Sequence, residues 1–306
     1  LRMLNVDDPM PWLQIKLEIT PEQSDQYEDI LLAAGCAAVT FEDTKDQPIF
    51  EPDLGTTPLW NHTTLTGLFD ATHDLQKTQA FINEAHQQLF GDTPMPKVKT
   101  EILEDKDWER AWMDNYHPMQ FGKRLWVCPS WREAPEPNAV NLMLDPGLAF
   151  GTGTHPTTAL CLQWLDGEPL AGKEVVDFGC GSGILGIAAL LLGAEHVTAI
   201  DIDPQALQAT RDNLERNKLA ESRLQAYLPE QAPTVEADYV VANILAGPLI
   251  ELAPTIAGHV KSGGRLALSG LLSNQTESIV ETYSQWFDLD PVAEQEDWIR
   301  VTGTKR

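Results

Sequence analysis

The 306-residue sequence predicts an α/β protein in which a doubly wound parallel sheet follows a smaller α+β unit. From about Pro118, short apolar strands alternate with helical segments, which is the pattern of a parallel sheet with crossover helices. Before that point, strands and helices follow the order βαββαβ of a ferredoxin-like sandwich. At the end of the chain, two strands follow each other without a helix and must therefore pair as an antiparallel hairpin.

The N-terminal unit is expected over residues 10–104, and each of its elements has its own signal. The stretch WLQIKLEIT alternates apolar and polar residues, as a half-buried strand does. Thr20 and Pro21 form a helix start, an N-cap candidate followed by proline at the first helical position. The other strands are expected at AAVTFEDT, TTLTGLFD and KVKTEILE, and the second helix at LQKTQAFINEAHQQLF. A long loop with Phe50 and Trp60 precedes the third strand, and such loops are often functional.

A helical linker is expected over residues 105–117, in DKDWERAWMDNY. It places Trp108 and Trp112 four residues apart on one helical face. Such a pair is more often a packing contact than a platform for substrate. The linker would join the N-terminal unit to a sheet domain over residues 118–306.

The sheet domain is expected to open with strands in QFGKRLWVCPSW and AVNLMLDPGLAFG. Helices are expected to start at Ile184, Pro204 and Pro248, with a last one near residues 275–286. The buried strands between them are EVVDFG, HVTAIDID, SRLQAYL, ADYVVANIL and GGRLALSGLL, and the hairpin strands are LDPVAEQEDW and IRVTGTKR. A parallel sheet closed by such a hairpin is the layout of the class I methyltransferase fold, which dinucleotide-binding folds lack.

The composition narrows the function classes. A net charge of −25 repels a phosphate backbone and attracts a basic partner, although it also serves solubility. The apolar stretches are too short or too interrupted for a membrane span, and no secretory signal is recognised. The four cysteines are scattered without C-x-x-C spacing, which predicts reduced thiols in a cytoplasmic protein. The seven histidines show no spacing typical of metal ligands, so no metal site is expected.

The glycines of VVDFGCGSGILG, residues 175–186, fit two registers. One is G-x-G-x-x-G, a cradle for the pyrophosphate of a dinucleotide. The other is D-x-G-x-G-x-G with Gly179, Gly181 and Gly183, the loop that holds S-adenosylmethionine in many methyltransferases. Asp201 at the end of the next strand fits both, because it would accept the ribose hydroxyls of either cofactor.

Asp177 separates the two registers. A carboxylate at this place would repel a pyrophosphate by about 1–4 kcal/mol at close range. Against S-adenosylmethionine the same carboxylate meets the α-ammonium of the methionine end, which is an attractive, charge-assisted pairing. We therefore expect Asp177 to face a cation and the cofactor to be S-adenosylmethionine.

Two further motifs lie where the strand ends should converge. In FGTGTHPTT, residues 150–158, Thr157 and Thr158 are candidates to cap a helix and to offer hydroxyl groups to the cofactor. In ANILAGPL, Asn243 ends the fourth strand as a turn residue or with its carbonyl aimed at a reacting amine. His155 is a candidate proton relay, although loop histidines are more often structural.

With these motifs in place, the chain resembles the bacterial ribosomal protein L-eleven methyltransferases. The resemblance is carried by LDPGLAFGTGTHPTT, the glycine loop, AIDIDPQAL, VVANILAGPL and the linker LEDKDWERAWMDNYHP, and it runs from Met10 to the end. It implies that Thr158, Gly179, Asp201 and Asn243 contact S-adenosylmethionine. It further implies that the N-terminal domain recognises the ribosomal protein and that the linker lets it swing. Residues 1–9 depart from the family pattern and are assigned no role.

The resulting hypothesis is a monomeric protein N-methyltransferase acting on lysine side chains, the α-amine or both. Asn243 and His155 are its catalytic candidates, and no direct RNA recognition or membrane partner is expected. The alternatives are a methyltransferase acting on RNA or a small molecule, an NAD-dependent oxidoreductase, and a non-catalytic cofactor-binding adaptor.

Overall fold

The computed structural model describes residues 12–45, 59–70, 73–103, 116–145 and 155–306. The chain divides into two compact units, Leu1–Asn115 and Tyr116–Arg306. The predicted linker helix with Trp108 and Trp112, Phe50 and most of the threonine-rich motif lie outside the described residues. The domain boundaries after residues 104 and 117 therefore stay a prediction.

The N-terminal unit is a four-stranded antiparallel sheet in the order β2-β3-β1-β4. Its elements are β1 Trp12–Ile19, α1 Ser24–Ala33, β2 Ala38–Asp43, β3 Thr63–Asp70, α2 Leu75–Phe90 and β4 Val98–Leu103. This is the ferredoxin-like arrangement that the sequence predicts. Thr20 precedes a single 3₁₀ turn, Pro21–Gln23, which leads directly into α1.

The core of this unit follows from the alternation in β1. Leu13, Ile15, Leu17 and Ile19 are buried, whereas the residues between them are half-buried or exposed. Buried polar side chains link the two helices of this unit. Tyr27 Oη of α1 and His86 Nδ1 of α2 share a hydrogen bond of 2.6 Å, and His86 Nε2 lies 2.8 Å from the Thr93 carbonyl oxygen. Because both ring nitrogens have partners, this buried histidine is satisfied within the core.

The C-terminal unit contains a sheet in the order β10-β9-β8-β11-β12-β15-β13. Its strands are β8 Glu174–Phe178, β9 His196–Ile200, β10 Leu224–Tyr227, β11 Ala237–Asn243, β12 Val260–Leu272, β13 Phe287–Leu289, β14 Ala293–Gln295 and β15 Trp298–Lys305. Strands β8 to β12 are parallel, and β15 runs antiparallel to β12, β13 and β14. The predicted closing hairpin is confirmed.

The first hairpin segment differs from the prediction because it forms two short strands, β13 and β14. Pro291 lies between them, and proline cannot donate to a strand ladder. A separate three-stranded sheet precedes the main one, formed by β5 Met119–Phe121, β6 Leu125–Cys128 and β7 Val140–Met143.

The helices of this unit are α3 Pro156–Gly167, α4 Ile184–Leu191, α5 Pro204–Arg216, α6 Ala246–Glu251, α7 Ala253–Gly258 and α8 Thr276–Tyr283. The predicted starts at Ile184 and Pro204 are confirmed. Pro248 does not start a helix: α6 begins two residues earlier. Proline is tolerated there because the first-turn N–H groups have no partner within a helix.

The strand order of the larger sheet indicates where a ligand would bind. The chain runs outward from β8 to β10 and then returns to β11 on the other side of β8. The switch point therefore lies between β8 and β11, and ligands of doubly wound sheets bind at the carboxyl ends of the strands at such a point.

Candidate cofactor and methyl-transfer site

Three polar residues predicted for the site lie at adjacent strand ends. Strand β8 pairs with β9 on one side and β11 on the other, so Phe178 is opposite both Ile200 and Ala242. Asp177 is the second-to-last residue of β8, Asp201 directly follows β9, and Asn243 ends β11. The fold therefore brings Asp177, Asp201 and Asn243 to one edge of the sheet.

The glycine loop between β8 and α4 depends on backbone conformations that glycine allows. Gly179, Gly181 and Gly183 have φ values of 76°, 53° and 77°. A Cβ atom on Gly179 would also clash with Ile244 Cγ2. The three glycines therefore allow the loop to turn tightly. The absence of a side chain at Gly179 also lets the loop pass close to Ile244, the residue after Asn243.

Asp201 holds the glycine loop in place. Its Oδ2 accepts a hydrogen bond of 2.8 Å from Gly181 N, and its Oδ1 accepts one of 3.0 Å from Asp203 N. Each carboxylate oxygen keeps a further lone pair for a ligand hydroxyl group. Ile202, the next residue, is 83% exposed and offers an apolar surface beside that carboxylate.

Asp177 is buried beneath the loop, with 1% of its surface exposed. Its Oδ2 accepts a hydrogen bond of 2.8 Å from Gly186 N, which ties β8 to the first turn of α4. Burial raises the pKa of Asp177 to about 7 because it disfavours the charged form. A nearby cation would lower this pKa again, because it stabilises the charged carboxylate. The contact of Asp177 with an ammonium group stays a prediction.

Asn243 and Thr158 are brought together across the site. Asn243 Nδ2 donates a hydrogen bond of 3.2 Å to Thr158 Oγ1, in the first turn of α3. Asn243 Oδ1 is buried and has no hydrogen-bond partner among the described residues. A buried carbonyl oxygen without a donor costs free energy, so this atom is an acceptor available to a ligand N–H.

His155, and neither threonine, caps α3. The His155 side chain is at the N-cap position, and its Nδ1 lies 3.3 Å from Thr157 N and 2.8 Å from Thr157 Oγ1. The predicted capping by Thr157 and Thr158 is therefore wrong: both are buried in the first turn that follows. Burial also lowers the pKa of His155, which favours the neutral ring.

Comparisons with known proteins decide the family. A family model described as ribosomal protein L11 methyltransferase (PrmA) matches residues 11–306. The chain belongs to this family. It is 60% identical over 296 residues to the ribosomal protein L11 methyltransferase of a Marinomonas species, covering 97% of this chain and 99% of the relative. It is equally identical to the protein of that name from Pseudomonas fluorescens, over 97% of this chain and 100% of the relative.

A solved structure agrees with the family assignment. The crystal structure of ribosomal protein L11 methylase from Lactobacillus delbrueckii subsp. bulgaricus is 30% identical, with a TM-score of 0.55. The match covers 62% of this chain and 100% of the Lactobacillus chain. The resemblance inferred from the motifs is confirmed, as is the class I methyltransferase fold.

This member of the L11 methyltransferase family also places an aromatic residue at the site that the sequence analysis missed. The rings of Trp298 and His155 meet edge to face, with centroids 4.6 Å apart. Trp298 starts β15 and is opposite Leu272. The closing antiparallel hairpin brings the start of β15 back to the site. The aromatic residue at the start of that predicted strand was the sequence signal that could have identified Trp298.

The described residues contain no group of three or more His, Cys, Asp or Glu side chains that could hold a metal ion. Cys36, Cys128, Cys161 and Cys180 are free thiols, and burial raises the pKa of each of them. No helix within the described ranges has the length and apolarity needed to span a membrane.

Proposed function

We propose that this protein transfers methyl groups from S-adenosylmethionine to amino groups of ribosomal protein L11, on lysine side chains, the α-amine or both. The curated relatives that carry the name ribosomal protein L11 methyltransferase align with nearly the whole chain, which supports the substrate. The observation that carries the chemistry is the buried Oδ1 of Asn243, which has no hydrogen-bond partner in the part of the chain that the structure describes.

The residues at the strand ends fit S-adenosylmethionine. The glycine loop would allow close approach of the backbone to the cofactor, and Asp201 would accept hydrogen bonds from the ribose hydroxyls. Asp177 has one hydrogen-bond donor among the described residues, so the α-ammonium would satisfy a buried carboxylate. Thr158 completes the set with its hydroxyl group. When bound, this cofactor supplies an electrophilic methyl group on a sulfonium.

Asn243 would orient the amine that receives the methyl group. Its Oδ1 accepts an N–H of the neutral amine, which turns the nitrogen lone pair toward the methyl donor. Asn243 is followed by Ile244 and Leu245, and Leu245 is 52% exposed. This apolar border would suit the aliphatic chain of a lysine amine.

The amine must lose a proton before it attacks, because ordinary lysine and α-amino pKa values are about 10.4 and 7.7–8.0. An apolar surrounding lowers such a pKa by disfavouring the ammonium. His155, whose own pKa burial lowers, is the proposed relay for the proton. The capping contact of His155 uses ring nitrogen Nδ1. Capping and proton relay are therefore distinct roles, which substitutions can separate.

The charge of the chain supports a basic protein substrate. With 46 acidic and 21 basic residues, the protein repels nucleic acid phosphates and attracts a basic partner. We assign recognition of the ribosomal protein to the N-terminal unit, with the linker allowing it to present several amines. A monomer in the cytoplasm, without direct RNA recognition, completes the proposal.

Incubation with radiolabelled S-adenosylmethionine tests the proposal against its alternatives. The protein is given total ribosomal proteins in one reaction and ribosomal RNA in another. Label in the protein fraction supports the proposal, whereas label in the RNA alone identifies an RNA methyltransferase. Binding of S-adenosylhomocysteine without any label transfer to either identifies a non-catalytic adaptor.

A further inference from the structure

Two buried side chains of helix α5 donate hydrogen bonds to the glycine loop. Thr210 Oγ1 donates a hydrogen bond of 3.0 Å to the carbonyl oxygen of Gly181. Asn213 Nδ2 donates one of 2.8 Å to the carbonyl oxygen of Ser182, the next residue. Thr210 and Asn213 lie three residues apart on one face of the helix, which matches the two consecutive carbonyl groups.

Holding these carbonyl groups also orients the N–H groups of the loop. In a trans peptide the C=O and N–H bonds point in opposite directions. With the Ser182 carbonyl against α5, the Gly183 N–H points away from the helix and donates to the Cys180 carbonyl oxygen at 2.8 Å. The bond from Asn213 therefore sets the turn from which α4 begins, where a backbone offers N–H groups to a ligand.

The orientation of the Asn213 amide is itself fixed by Arg216. Arg216 Nη1 donates a hydrogen bond to Asn213 Oδ1. A guanidinium group has only donors, so Asn213 must turn its oxygen to Arg216 and its amino group to Ser182. Arg216 Nε in turn lies 3.3 Å from Asp145 Oδ2. Asp145 is anchored by Ser130, whose N and Oγ donate hydrogen bonds of 2.7 and 2.8 Å.

We propose that Asn213 is a positioning residue for cofactor binding: oriented by Arg216, it fixes the glycine-loop peptides in the arrangement that receives S-adenosylmethionine. The inference rests on the proposed placement of the cofactor on that loop. Asn213 is buried beneath the loop and acts through the Ser182 peptide. Loss of its donor therefore weakens cofactor binding more than it slows the methyl transfer of the saturated enzyme.

Asn213→Asp is the sharpest variant, because it keeps the shape and the acceptor for Arg216 but replaces the donor with an oxygen that faces the Ser182 carbonyl. We expect the Kd for S-adenosylhomocysteine, measured by calorimetry, to rise about tenfold, as for a buried carbonyl left unpaired. The KM for S-adenosylmethionine should rise likewise, with kcat changing by less than about twofold. Glu215→Ala, on the exposed face of the same helix, is the matched control and should bind as the unmodified protein does.

A Kd for Asn213→Asp within about twofold of the unmodified protein, even at a lowered Tm, would overturn the inference. If this variant does not fold, Arg216→Met releases the Asn213 amide, and an unchanged Kd there overturns the inference equally. Gly181→Val separates the two proposals. If that variant binds S-adenosylhomocysteine normally, the cofactor does not lie on the loop. If it loses binding while Asn213→Asp keeps it, only the role of Asn213 fails.

Discussion

Asn243 Nδ2 donates a hydrogen bond of 3.2 Å to Thr158 Oγ1, which joins the end of β11 to the first turn of α3 across 85 residues. Because the amide nitrogen is directed to Thr158, the amide oxygen is directed elsewhere, and it is buried without a partner among the described residues. The pair therefore presents one oriented acceptor at the switch point of the sheet.

Asn243→Ala should lower the methylation rate on L11 at least about tenfold, because the amine loses the acceptor that orients it. Cofactor affinity should stay within a few-fold, since most proposed cofactor contacts come from the glycine loop and Asp201. Steady-state kinetics and calorimetry with S-adenosylhomocysteine measure the two quantities. Asn138→Ala, an exposed asparagine between β6 and β7, is the control. Near-normal turnover of the Asn243 variant removes this residue from the active-site assignment.

Thr158→Val should reduce kcat although it keeps the volume and branching of the side chain. The variant removes the acceptor that orients the Asn243 amide, so the amide is free to present its nitrogen to the substrate amine. Thr158→Ser retains the hydroxyl group and should recover most of the rate. Equal rates for the valine and serine variants would contradict this role.

Cofactor affinity should depend on pH through Asp177. Burial raises the pKa of this carboxyl to about 7, so below that pH a cationic ligand must displace a proton. The affinity for S-adenosylhomocysteine should therefore increase from about pH 5.5 to about pH 7, by up to tenfold per unit, and then level off. Asp177→Asn should weaken binding by about 1–3 kcal/mol and abolish this dependence. Calorimetry at several pH values checks both, and an unchanged slope in the variant contradicts the assignment.

The same shift has a definite sign for stability. The folded protein without cofactor keeps the Asp177 proton up to about pH 7, whereas an unfolded chain loses it near pH 3.9. This carboxyl therefore lowers the free energy of unfolding as pH rises through that window, and Asp177→Asn should remove its contribution. Thermal unfolding of both proteins between about pH 4 and pH 7 measures the difference.

Gly179→Ala should impair the site more than strain alone explains. Gly179 and Gly172 both have positive φ values, 76° and 69°, so alanine at either position costs about 1–2 kcal/mol. A Cβ atom on Gly179 would meet Ile244, next to Asn243, whereas one on Gly172 meets nothing within 4 Å. Both variants should therefore lower Tm, but only Gly179→Ala should weaken S-adenosylhomocysteine binding. Equal affinities in the two variants would show that the Ile244 contact is unimportant.

Substitutions of His155 distinguish capping from proton relay. His155→Ala should cost about 1 kcal/mol of stability through the lost N-cap of α3. His155→Asn restores a good capping residue and should recover the Tm, but it carries no titratable ring. If His155 relays the proton, the methylation rate of the asparagine variant stays low and the pH profile of kcat changes. A normal rate with recovered Tm would leave capping as its role.

The sequence predicts those features that local chemistry determines. The start of α4 follows from the glycine loop, and the start of α5 follows from Pro204, a first-turn proline. The closing hairpin follows from two strands with no helix between them. These signals need no knowledge of the rest of the fold.

The features that were missed depend on tertiary contacts or on uncommon local choices. Histidine is not a favoured N-cap residue, so the threonines after His155 were the better expectation for α3. The bond from Asn213 to Ser182 spans 31 residues and leaves no periodic pattern in the sequence. The edge contact of Trp298 with His155 exists only after the hairpin has returned to the sheet.

Intact-mass spectrometry of purified ribosomal protein L11, after reaction with S-adenosylmethionine, tests the central claim most directly. With the unmodified enzyme, we expect L11 to gain mass in whole methyl increments, with the modified positions mapping to amino nitrogens. The Asn243→Ala enzyme should bind S-adenosylhomocysteine yet add methyl groups to L11 at least about tenfold more slowly. An L11 whose mass does not change with the unmodified enzyme, under conditions where that enzyme binds the cofactor, would contradict the account.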